Sequence, residues 1–112
     1  MARAQLLRAA RLGDEGFADA GLLFAFAAGE GLMRRLLSQL QGHRELTETP
    51  LAMAKTLVAL GELDEDDLLR LADALRDRNA VAHGHVREGD PAASLASAVE
   101  VFGRLASELR DA

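Results

Sequence analysis

The run from residue 17 to about residue 41 constrains this chain most. Phe17, Gly21, Phe24 and Ala28 recur at helical spacing along one stripe, and Leu22, Phe26, Met33, Leu36 and Leu40 fill others. A helix that is apolar on most sides must be covered on most sides, so the pattern predicts a central helix with others packed around it. Gly21, Ala25, Ala28 and Gly29 are small, which lets a second helix approach closely, either inside the bundle or across a subunit interface. The rest of the chain offers helix formers to do the covering. Alanine and leucine dominate, β-branched residues are scarce, and the four phenylalanines are the only aromatics. The expectation is an all-α, compact bundle of four to five helices, built as one domain over residues 1–112. A core of that size gives modest stability, so a partner subunit would contribute usefully.

Local punctuation divides the chain. A first helix is expected over about residues 2–12, with Leu6, Leu7 and Ala10 on helical spacing and Gly13-Asp14-Glu15-Gly16 stopping it. Residues 42–48 are polar and read as a loop. Thr49 then stands as an N-cap with Pro50 at the first helical position, and a short third helix runs to residue 60 before Gly61. Asp64 caps a fourth helix whose inward stripe is expected to hold Leu68, Leu71, Leu75 and Ala82, with Gly84 ending it. Asp90-Pro91 opens a last helix with Leu95, Val99, Phe102, Leu105 and Leu109 along one face.

Several classes of function are disfavoured. The net charge of −5 argues against a broad basic surface that would coat nucleic acid, while leaving room for a small basic cleft. No cysteine is present, which removes thiolate nucleophiles, zinc fingers and disulfides and fits a cytoplasmic setting. The apolar stretch at residues 20–29 is bounded by Asp19 and Glu30 and is far short of the roughly 20 residues that span a bilayer, so no membrane is expected. The N-terminal arginines Arg3, Arg8 and Arg11 lack the apolar run of a signal peptide and read as ordinary helix.

Among residues that carry chemistry, the run Asp64-Glu65-Asp66-Asp67 suits a helix start, where carboxylates meet the positive end of the dipole. His83-Gly84-His85 with Glu88 and Asp90 nearby is a weak metal pattern, and neither a metal nor a cofactor is expected. His43, in the polar loop, reads as a solvated residue. The segment Arg78-Asn79-Ala80-Val81-Ala82-His83-Gly84 differs in kind, because it sets a fixed cation, an amide and an imidazole at the end of a helix that otherwise reads as core. At about 100° per residue, Asn79 and His83 share a face, whereas Arg78 lies roughly 140° from His83. Their groups converge only if the helix loosens before Gly84 or if two copies of the chain meet about a twofold axis. Glu30, a carboxylate amid apolar neighbours, needs a partner. Arg78 and, one turn on, Arg34 are the two candidates.

An arginine followed by a polar residue, a short gap, then histidine resembles the signature of the HEPN superfamily. Here it is carried by Arg78, Asn79 and His83 late in the penultimate helix, with a further helix after it. The long helix containing Phe24, Phe26, Glu30 and Met33 is similar to the family's second helix, and the resemblance covers about residues 17–109. It implies metal-independent endonucleolytic cleavage of RNA by attack of a 2′-hydroxyl on the adjacent phosphate. Arg78 would hold the phosphate, Asn79 would orient it or bind the sugar, and His83 would act as general acid or base. Glu30 and His85 would support them, in a cleft shared by a homodimer. Imidazole suits the task because it titrates near neutrality, and guanidinium because it pairs with phosphate oxygens. An antitoxin or other partner protein, in toxin–antitoxin or phage-defence settings, is also implied. In the toxins paired with small nucleotidyltransferases a tyrosine stands two residues after the histidine. This chain has His85 there and no tyrosine anywhere, which separates it from that branch. Two alternatives stay open: a HEPN-like module that binds RNA or nucleotide, or dimerises, without chemistry, and a purely structural helical dimer.

Overall fold

A computed structural model describes residues 2–42, 48–84 and 89–109. Five helices follow in order, α1 (Ala2–Asp14), α2 (Ala18–Gln41), α3 (Pro50–Ala59), α4 (Glu65–Ala82) and α5 (Pro91–Glu108), and the described residues contain no strand. The all-α bundle expected from the sequence is the fold observed.

α2 is the central helix, packed by each of the other four. Leu22, Ala25, Phe26, Leu32, Met33, Leu36 and Leu37 are buried along it, while Phe17 and Leu40 at the ends of the apolar pattern are exposed. α1 lies on α2 and α5, α3 lies on α2 and α4, and α4 and α5 pack against each other and against α2. The small residues of α2 serve packing inside the bundle. A Cβ at Gly29 would stand 2.3 Å from the Phe102 ring, and one at Gly21 would stand 2.7 Å from both the Ala9 carbonyl oxygen and a Leu95 methyl.

The caps follow local chemistry. Thr49 Oγ1 accepts from the Ala52 N–H at 3.2 Å, with Pro50 opening α3. Asp90 accepts from the N–H groups of Ala92 and Ala93, with Pro91 opening α5. Asp64 accepts from the Asp67 N–H at 2.8 Å while Asp67 Oδ2 accepts from the Asp64 N–H at 3.2 Å, a reciprocal box that satisfies two donors a helix start leaves orphaned.

Three sequence expectations change. α1 runs two residues past its expected end, through Gly13, whose missing side chain admits Leu95, to Asp14, and the left-handed turn falls at Gly16, the last residue of the expected stop. Its buried face is Leu6 and Ala9, with Leu7 turned outward. On α4 the inward stripe is Asp67, Leu71, Ala74 and Asp77, flanked by half-buried Leu68 and Leu75. Ala82 is exposed, since the last turn of α4 runs out beyond its cover.

Two of those inward residues are carboxylates, and both are answered from α5. Arg104 donates from Nη1 to Asp67 Oδ2 at 3.3 Å and from Nη2 to Oδ1. The guanidinium is the main reason the Asp67 carboxyl is held below its ordinary value of 3.8; burial opposes the shift and the Asp64 N–H assists it. Further along, the Ser94 hydroxyl donates to Asp77 Oδ2, and Gly89 packs against the same carboxylate so closely that a Cβ would fall 2.3 Å from Oδ1.

Candidate functional site

The arginine, asparagine and histidine singled out by the sequence lie at the C-terminal end of α4, with Arg78 at the seam with α2 and Asn79 and His83 exposed. The floor of this seam is aromatic. Phe26 of α2 and Phe102 of α5 are fully buried and meet edge to face, with ring centroids 5.3 Å apart and planes at 88°. The Arg78 guanidinium lies over the Phe26 ring, 5.6 Å from its centroid, where the negative face of the ring attracts a cation.

Around its rim Arg78 is held by polar partners. Nη2 donates to Glu30 Oε1 and Nη1 donates to Asn79 Oδ1 at 2.8 Å. Glu30 Oε2 lies 3.6 Å from Arg34 Nη2, one turn along α2. Both partners considered for Glu30 are therefore present at once: one carboxylate joins two guanidiniums, one from each helix. Exposure rises outward, with the Glu30 side chain at 20%, Arg78 at 24% and Arg34 at 46% of full accessibility. A guanidinium offers five N–H donors, and Glu30 and Asn79 engage two of them. Asn79 is exposed, and with Oδ1 turned to Arg78 its amide N–H groups are the donors it presents to a ligand.

His83 is the C-cap of α4. Its backbone N–H donates to the Asn79 carbonyl at 3.1 Å, and Gly84 follows at φ +70°, the left-handed turn that glycine adopts without strain. The helix thus holds its pitch to Ala82. Loosening before Gly84, one of the two routes by which Arg78 and His83 could converge, does not occur. On a helix regular to Ala82, positions 78 and 83 stand roughly 140° apart around the axis.

Other expected members fall elsewhere. His85, His43 and Glu88 lie outside the described residues. Asp64, Glu65, Asp66 and Asp67 serve the start of α4, at the opposite end from Arg78. Among the described residues no group of three His, Asp or Glu side chains gathers as a metal site would require, and no helix is long and apolar enough to cross a membrane. A shallow groove of about 390 Å³ lies between the starts of α2 and α5, lined by Phe17, Asp19, Asp90 and Pro91 among others. It includes no motif residue.

The sequence pattern does not by itself mark Phe26 as a platform for Arg78. The available signal was the ladder Phe26, Glu30, Arg34, four residues apart on one face of a helix otherwise given to the core. Nor does the pattern mark Arg104, Asp77 and Ser94, since nothing local distinguishes a carboxylate that is buried against another helix.

No family model matches this chain, and neither a curated protein nor a solved structure matches it.

Proposed function

We propose that this protein is a metal-independent RNA endonuclease of the HEPN type, working as a homodimer. The observation that carries the reading is the fixed posture of Arg78. The guanidinium is laid on Phe26 and hydrogen-bonded to Glu30 and Asn79, with donors to spare, five residues before an exposed histidine at the helix end.

The chemistry needs few parts. A base takes the proton of the 2′-hydroxyl, whose oxygen attacks the neighbouring phosphorus. An acid gives a proton to the departing 5′ oxygen, leaving a 2′,3′-cyclic phosphate and a 5′-hydroxyl. The nucleophile is internal to the RNA, so general acid–base catalysis and charge stabilisation suffice. Arg78 binds the non-bridging oxygens and neutralises the charge that grows on them, and the Asn79 amide donates to one of them or to the sugar. Glu30 holds Arg78 in place. His83 serves as base in one protomer and as acid in its partner, which answers the angle between Arg78 and His83 on a single straight helix. The end of α4 makes the arginine necessary, because a helix C-terminus carries partial negative charge and repels phosphate.

A binding role without catalysis is favoured by one observation, the divergence of Arg78 and His83 within the single chain. The same assay separates the two. Purified protein incubated with mixed single-stranded RNA in EDTA is expected to yield cyclic-phosphate ends and to leave DNA intact. His83→Ala is expected to slow the cleavage by a factor of about 10²–10⁴. Cleavage at the same rate by this variant sinks the mechanism, and RNA bound but intact leaves the binding role.

A further inference from the structure

The geometry points to Arg34 as a second phosphate-binding residue, so that Arg34 and Arg78, yoked by Glu30, hold neighbouring phosphates of one RNA strand along the seam of α2 and α4. This rests on the ribonuclease reading and adds to it a track for the strand.

Two guanidiniums here share a single carboxylate. The cluster keeps a surplus of one positive charge, in a protein whose net charge is −5 and at a helix end whose own dipole is negative. Arg34 is also the more exposed of the two, at 46% against 24%, and it stands on the other helix. The inner guanidinium is the one bedded on Phe26 and tied to Asn79, as a group that must hold the reacting phosphate should be. The outer one has freedom to follow a flanking phosphate. Arginine suits both places, since its planar fork meets phosphate oxygens in pairs. Glu30 then has two tasks. It stops the guanidiniums repelling each other when the site is empty, and it lowers the pull of the site on RNA, favouring release of product.

The test measures binding of single-stranded 2′-O-methyl RNA, which lacks the attacking hydroxyl, across a salt titration. Each phosphate contact on a single strand contributes about 0.7 to the slope of log affinity against log salt, so Arg34→Gln is expected to lower the slope by about 0.7. It should weaken binding about five-fold at about 0.1 M salt, with Arg34→Lys restoring the slope. Glu30→Gln is expected to tighten binding while slowing cleavage. In cleavage assays Arg34→Gln should raise KM and leave kcat near its original value, whereas loss of Arg78 should fall on kcat. Arg8→Gln is the control for net charge, on α1, which makes no contact with α4. An unchanged slope in Arg34→Gln, an equal loss in Arg8→Gln, or weaker binding in Glu30→Gln overturns the proposal. If the wild type cleaves RNA while the Arg34→Gln slope stays unchanged, the second phosphate contact fails and the nuclease stands. If the slope falls but no RNA is cut, the contact stands and the nuclease fails.

Discussion

The two ends of α4 are each joined to another helix by an arginine and a carboxylate, and they are built in opposite ways. At the N-terminal end the carboxylate is the buried member: the Asp67 side chain is 5% exposed, while that of its partner Arg104 is 52% exposed. Both Asp67 oxygens are engaged, by Arg104 and by the Asp64 N–H. At the C-terminal end the two partners are about equally covered, and the arginine keeps donors in reserve over an aromatic floor. A pair whose acceptor is saturated fastens helices together. A pair whose donor remains unsaturated can also take hold of something else.

The contrast breaks most sharply by exchange of effects. Arg78→Ala is expected to reduce RNA cleavage by about 10²–10³ while reducing stability by about 1 kcal/mol, because Glu30 retains Arg34. Asp67→Ala should do the reverse. It removes half of a capping box and a charged hydrogen bond, for a loss of about 2 kcal/mol. That corresponds to a fall of about 10 °C in thermal unfolding for a chain of this size. Cleavage should persist at a temperature where the variant is folded, since Asp67 and Arg78 stand about 16 Å apart along the helix axis. A variant that loses both properties together would show that the two ends are not separable.

A smaller effect sharpens the comparison through pH. Asp67 has its folded-state value depressed by Arg104, so its contribution is fully present above the unfolded value of about 3.8 and is lost as pH falls through the lower folded value. The stability difference between wild type and Asp67→Asn, followed by chemical denaturation, should therefore be constant from neutral pH down to about pH 4 and shrink below it. A difference that shrinks between pH 7 and 5 would assign the clasp to another group. The least effect is expected of Glu100→Gln. Glu100 accepts from Arg70 across the same two helices at 2.5 Å, and the contact draws its carboxyl below the ordinary value, yet the carboxylate lies in solvent. Thermal unfolding of this variant should coincide with wild type.

What could be read from the sequence is what neighbours in the chain determine. Thr49 with Pro50, Asp64, and Asp90 with Pro91 mark their helix starts because a cap is made within three residues. The central place of α2 follows from its own apolar pattern. Where a residue's role depends on another helix, the local pattern misleads. Gly13 looks like a stop but makes room for Leu95, and Leu7 fits an apolar spacing yet faces outward. Asp67 sits in an acidic run that suits the dipole, and nothing nearby shows that it alone turns inward to Arg104. At the candidate site the motif is plain in the sequence, and the apolar neighbours of Glu30 call for a partner. Its two partners could not be ranked because each is geometrically sound, and the structure uses both.

The contact of Gly29 with Phe102 reaches further than packing. Phe102 lies where a side chain at position 29 would have to go, Phe26 stands edge-on to Phe102, and Arg78 rests on Phe26. A group added at position 29 must displace the first ring, which borders the second, on which the guanidinium rests. The bed of the guanidinium thus depends on a residue outside the motif, so that position 29 can disturb Arg78 while every motif residue is kept.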